Sequence, residues 1–250
     1  MNYNFNDNTL LHSVMFNPFK LESILQNGIM SFNEASKSNF SFTRNTFGYN
    51  FDDYISMTRY MYVSFGDKNT SFYNYTLKGI TLIVENQDFI YNQNEMYFNY
   101  PDEVFVKDKV VKENIKGILL PLKYLDYLLE ELPMFNLKST SYVNIKHTCD
   151  DLINYLKTLN YDVNIPLYNI YLNDLYQVVL KLQKDENNSM LLEEFMECKI
   201  SLNEFIAKEV QNAFDKKFNK KFTTLEEMAT FIAEKYNKKI YYIDNLKYVR

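Results

Sequence analysis

The sequence predicts an α+β fold, with strands concentrated in an N-terminal domain (residues 1–122) and helices in a C-terminal subdomain (123–250). Three observations predict it. Short apolar or alternating runs such as YISMTR, ITLIV and IKGILL occupy the first half, with the two-residue period of half-buried strands or the continuous apolarity of buried ones. Beyond Pro121 the apolar residues recur at helical spacing in one stretch after another. No strand–helix–strand alternation is present that would build a doubly wound parallel sheet.

In chain order, residues 1–8 are polar and read as an arm, and Thr9–Met15 as a short strand with His12 near its end. Asn17-Pro18 opens a helix, since Asn can cap it and proline is tolerated at the first helical position. Phe19, Leu21, Ile24 and Leu25 give that helix its apolar side, and Gly28 can take the left-handed conformation that ends it. From Ser31 to Asp53 the chain is a polar connection, long enough to suggest a functional loop. Strands are then expected over Tyr54–Tyr62, Ile80–Val84, VFV after Glu103, and Ile115–Leu120. Pro101 places Glu103 at a strand entrance, at the rim of the sheet. Helical patterns follow in KYLDYLLEEL, CDDLINYLKTL, LYQVVLKLQKD, SMLLEEF through KKF, and LEEMATFIAEKYN, the last capped by Thr224. The terminal KKIYYIDN is a candidate returning strand.

With 250 residues, 46% of them hydrophobic and 24% charged, the chain can bury a sizeable core and is not of disordered composition. Its 22 Tyr and 20 Phe mostly build that core. A net charge of −5 gives no global footprint for nucleic acid, although a local basic groove would suffice. Cys149 and Cys198 have neither metal-ligand nor CxxC spacing and read as reduced thiols. Neither a signal peptide nor a membrane span is legible, so the expected setting is cytoplasmic, with no membrane partner.

Several chemistries are excluded by what the sequence lacks. With two histidines, His12 and His147, and no HExxH, Cys-His cluster or EF-hand loop, there is no metal motif. The GxSxG elbow of α/β-hydrolases is missing, as are a P-loop and GxGxxG. His12, Ser56 and Glu103 remain as candidates for chemistry.

In their order, LLHSV with KLESILQNGIMSFNEA, then DDYISMTR, then YPDEVFV, the chain resembles the ADP-ribosyltransferase superfamily over about the first 125 residues. The spacing from His12 to the ILQNGI string is similar to that of DarT-like toxins and their phage and bacterial relatives. The resemblance implies an ADP-ribosyltransferase-like mixed β-sheet with an NAD cleft lined from three strands. It implies transfer of ADP-ribose from NAD, as substrate, to a macromolecular acceptor, protein or nucleic acid. It also implies a toxin, phage-defence or counter-defence role, with an antitoxin or host protein as partner. Glu103 would be the catalytic carboxylate, stabilising positive charge that develops on the ribose. His12, Ser13, Ser56, Thr58, Arg59 and Tyr62 would line the NAD site: His12 on a ribose hydroxyl, Arg59 or Arg44 on pyrophosphate, and Tyr54, Tyr60, Tyr62 or Tyr75 stacking on nicotinamide. Ser13 follows His12 where many histidine-type members carry Gly. The Gln/Glu-x-Glu pair typical of arginine-modifying members is missing, which turns the expected acceptor away from arginine.

Each candidate also has a plainly structural reading. His12 can be a satisfied core histidine, and Ser56 and Thr58 ordinary strand residues. Ser41, in SFTR, competes with Ser56, while Asp102, Glu85 and Glu95 compete with Glu103. His147 near Cys149 suggests a Cys-His dyad, and KKFNKK at 216–221 is either a solvated helix end or a phosphate contact. The alternative to an enzyme is a catalytically inactive nucleotide- or protein-binding module of the same fold. A further option is a helical interaction protein.

Overall fold

The structure is a computed structural model and describes residues 3–14, 16–37, 53–59, 79–91, 103–120 and 139–242. It is α+β. Strand β1 (Leu10–Val14) leads to helix α1 (Pro18–Asn27), the short strand β2 (Ile29–Met30) and helix α2 (Phe32–Lys37). Strands β3 (Tyr54–Arg59), β4 (Ile80–Val84), β5 (Ile90–Tyr91), β6 (Glu103–Lys107), β7 (Lys109–Val110) and β8 (Ile115–Leu120) follow. Helices α3 (Ser139–Thr158), α4 (Ile165–Leu182), α5 (Ser189–Phe218) and α6 (Leu225–Lys235) precede strand β9 (Lys239–Tyr242).

Seven strands form one sheet in the order β5-β6-β3-β1-β4-β8-β9, and β2 pairs with β7 apart from it. Every recorded pairing is antiparallel except β8 with β9. The chain reaches β9 from β8 only after more than a hundred residues, and a parallel neighbour needs such a crossover.

The chain divides into two compact units, residues 1–126 with 223–250, and residues 127–222. The segment from 223 onward, expected with the helical half, therefore groups with the sheet. The physical reason is twofold: β9 completes the sheet against β8, and α6 packs on α1 and β8. Lys235 Nζ donates to Glu22 Oε1 at 2.8 Å, tying α6 to α1 across a carboxylate that is nearly buried.

Local chemistry sets the elements of the sheet unit. Asn17 Oδ1 accepts from the backbone N–H groups of Phe19 (2.9 Å) and Lys20 (3.2 Å), which caps α1 with proline in its first turn. Gly28 ends α1 at φ +94° and donates its N–H to the Ile24 carbonyl at 2.7 Å. The stretch SFNEASK, expected as open connection, contains α2; the Ser31 hydroxyl accepts from Glu34 N at 3.3 Å and starts it. Thr224 caps α6 as expected, its hydroxyl accepting from Glu227 N at 3.1 Å.

Both faces of the central strands are covered. Leu10, Leu82, Val84, Ile118 and Leu120 are wholly buried on one face. On the other, Leu11, Ile83, Leu119 and Tyr241 form a cluster on which Tyr3 and Phe5 of the N-terminal arm pack. The arm is fastened there by Glu85 Oε1, which accepts from the Tyr3 hydroxyl (2.6 Å) and the Asn6 amide (3.1 Å).

The helical unit is built from α3, α4 and α5. Its core contains Cys149, Leu152, Leu156, Leu175, Val179, Leu202, Ile206 and Phe214, all at most 3% exposed. Asn164 and Asn188 cap α4 and α5 through their side-chain oxygens.

Candidate functional site

Glu103, Ser56 and His12 lie on three neighbouring strands, β6, β3 and β1. Thr58 is the register partner of Glu103, Ser56 of Phe105 and Tyr54 of Lys107. Paired residues share a face and alternate residues return to it, so Tyr54, Ser56, Thr58, Glu103, Phe105 and Lys107 form one strip. Ser56 is exposed, while Thr58 and Glu103 are half-buried. The Ser56 hydroxyl donates to Glu103 Oε1 and fixes the carboxylate diagonally across the β3–β6 pair. Beside them the rings of Tyr54 and Phe105 meet edge to face, with centroids 6.5 Å apart.

The register of β1 extends this reading. Leu11 pairs with Thr58 and Ser13 with Thr81, so both belong to the Glu103 face, where the Ser13 and Thr81 hydroxyls are 2.7 Å apart. His12 pairs with Leu82, and Arg59 with Leu10, which puts His12 and Arg59 on the opposite face. The β1–β3 ladder is recorded only at Leu10–Arg59 and Leu11–Thr58. Beyond it, His12 joins the strands through its ring: Nδ1 is 3.0 Å from the Ser56 carbonyl. A carbonyl only accepts, so Nδ1 carries the proton and Nε2 of the neutral ring is the acceptor. Burial pushes the His12 pKa down to about 4; the Lys20 charge adds to the shift and the Ser56 carbonyl opposes it. At neutral pH His12 is therefore uncharged.

Ser56 is thus the shared element, engaging Glu103 through its hydroxyl and His12 through its carbonyl. Arg59 is held elsewhere: Nη2 donates to the Asp7 carbonyl at 3.4 Å, and the guanidinium stands 5.9 Å from the Phe89 ring centroid. Glu85, a rival carboxylate, is occupied with the arm. Tyr62, together with Ser41, Arg44, Tyr60, Tyr75, Glu95 and Asp102, lies outside the described residues.

His147 and Cys149 do not form a dyad. Cys149 is buried, and burial pushes its thiol pKa up to about 12, the opposite of an activated thiol. His147 instead places Nδ1 2.9 Å from Asp151 Oδ2, at the surface of α3. Among the described residues no group of three or more His, Cys, Asp or Glu side chains is placed to hold a metal ion. Nor is any described helix long and apolar enough to cross a membrane.

The sequence reading missed Phe105, Lys107 and Thr81 as residues of this face. A two-residue step from Glu103 along EVFVK was the signal for the first two. Thr81 depends on which strand lies beside β1, and no local pattern carries that.

No family model, curated protein or solved structure matches this chain.

Proposed function

We propose that the chain is an NAD-dependent ADP-ribosyltransferase whose reacting carboxylate is Glu103. The observation that carries the proposal is the Ser56 junction, which holds a carboxylate on one side and a neutral imidazole on the other. In this reading the nicotinamide ribose sits against Glu103. As the C–N glycosidic bond breaks, nicotinamide leaves with the bonding pair and positive charge develops at the ribose, next to the carboxylate. The acceptor, a side chain or a nucleic-acid base, then bonds to the same carbon and releases its proton to solvent or to Glu103. Because His12 and Glu103 belong to opposite faces by register, a dinucleotide touching both has to enter where the β1–β3 ladder ends. The exposed Ser56 marks that place.

The test is nicotinamide release by the purified chain, with and without host lysate, beside Glu103→Gln. Release by the parent chain that drops by about a hundredfold or more in Glu103→Gln, the size of effect seen when one charge-stabilising group is removed, supports the transferase. No release from a folded parent chain overturns it.

The second reading, a nucleotide-binding module without turnover, is favoured by one observation: His12 shares the buried face of Leu10 and Leu82. It predicts an NAD-dependent rise in Tm that persists in Glu103→Gln, without nicotinamide release. Absence of any NAD effect on Tm refutes both.

A further inference from the structure

Of the eight large apolar side chains standing most exposed among the described residues, six are in the helical unit. Three of these are on the first half of α5: Met190 is 76% exposed, Met196 44% and Ile200 53%. At 3.6 residues per turn, positions 193, 196, 197, 200 and 204 fall within an arc of about 100°. They are Glu193, Met196, Glu197, Ile200 and Glu204, and the three glutamates are exposed. Lys199 is the sole cation between Met190 and Ala207, and it is buried at 8% exposure. Around the helix Met196 and Ile200 lie on one side of this arc and Glu193, Glu204 and Glu197 on the other, so the stripe is apolar along one side and acidic along the other.

At its upper end the stripe runs into an open groove of about 480 Å³ where α4 gives way to α5. Met190 and Leu191 supply its apolar lining, and Glu193, Glu194 and Glu197 its charge. Lys181 spans one side, its Nζ 3.1 Å from Glu194 Oε1. That ion pair leaves Glu193 and Glu197 as the acidic rim nearest the stripe.

We propose that this groove and stripe bind a basic amphipathic helix of a partner protein. The aliphatic stem of a lysine or arginine would lie along Met190 and Leu191 with its cationic head at Glu193 and Glu197. The partner's apolar residues would cover Met196 and Ile200. Amphipathic helices dock in this way by spaced apolar anchors, and methionine adapts readily to such partners. Charge decides between occupants. A second copy of this stripe would set glutamate against glutamate, and an anionic lipid surface would be repelled by the same three side chains. A cationic amphipathic helix satisfies both the apolar side and the acidic side. The proposal is independent of the transferase reading, because every residue it uses is in the helical unit.

The test uses the full chain and a fluorescein-labelled Leu/Lys amphipathic helix of about 18 residues, enough to span the stripe at 1.5 Å per residue. Two controls accompany it: a peptide of identical composition scrambled so that Leu and Lys no longer segregate, and a Leu/Glu amphipathic helix. Anisotropy is read for the parent chain, Ile200→Asp, and the Glu193→Gln/Glu197→Gln double variant, all at exposed positions and checked for folding by circular dichroism. The expected result is saturable binding of the Leu/Lys helix, weakened about tenfold or more in each variant, the scale of a lost anchor. The controls should bind at least as weakly as the variants. Absence of binding, equal binding of the scrambled peptide, or indifference to Ile200→Asp would each overturn the proposal. The last two would reduce the surface to a charge effect.

Discussion

Acidification should destabilise the protein through His12 in a way that can be separated from every other group. The folded-state pKa is about 4, lowered by burial and by Lys20, against about 6.5 for an unfolded histidine. Between those values the unfolded chain binds a proton that the folded chain refuses, so stability falls as pH falls. The contribution is fully present above about pH 6.5, and its loss is complete near pH 4. At about 1.4 kcal/mol per pKa unit the full shift corresponds to about 3 kcal/mol, and the part lost by pH 5 to about 2 kcal/mol. Because the side chain is only half-buried, solvent screening makes these upper values. The assay is urea unfolding of the parent chain and His12→Asn at a series of pH values from 7.5 to 4.5. The substitution shifts the whole curve, but the pH slope of the difference belongs to His12. The chain has two histidines, so proton NMR of their imidazole signals follows both, with assignment by His12→Asn. Parallel pH profiles for the two proteins, or a His12 signal titrating near pH 6.5, would refute the neutral, carbonyl-bound ring.

Three further outcomes are expected. Gly28→Ala should cost about 3 kcal/mol or more, because φ is +94° there and an added Cβ would stand 2.2 Å from the Val110 carbonyl oxygen; denaturant midpoints measure it. Gly117→Ala should loosen β8 from β9, since its Cβ would meet the Tyr241 ring at 2.7 Å and the Lys239 carbonyl at 3.0 Å. Faster amide exchange confined to residues 239–242 would identify that loosening. Lys235→Met should lower stability by about 1–2 kcal/mol, removing the cation at 2.8 Å from the nearly buried Glu22 carboxylate. A further Glu22→Gln change should restore most of that loss in thermal unfolding.

Much of the secondary structure was legible because its signals are local. Asn17-Pro18, Gly28 and Thr224 act on backbone groups within a turn of themselves, and they bound α1 and start α6 as expected. ITLIV and IKGILL became β4 and β8, since short segments this rich in Ile, Leu and Val have few other ways to be buried. The helix in SFNEASK was hidden because its start depends on one serine hydroxyl among many polar residues. The grouping of residues 223–250 with the sheet was legible only as a candidate returning strand in KKIYYIDN, because β9 joins a strand more than a hundred residues upstream.

The candidate site divides along the same line. The resemblance carried by the order of its motifs singled out His12, Ser56 and Glu103, and Pro101 argued that Glu103 opens a strand, where β6 begins. What each residue touches was set by strand order and register, which are long-range properties. Placing β3 between β6 and β1 makes Ser56 the neighbour of both other residues, and the Leu11–Thr58 pairing puts His12 on the face away from Glu103. A shift of one residue in that pairing would exchange the faces. The residue types were therefore determined by the sequence alone. Their meeting at Ser56, and the burial that keeps His12 neutral, arise only when seven separated strands pack into one sheet.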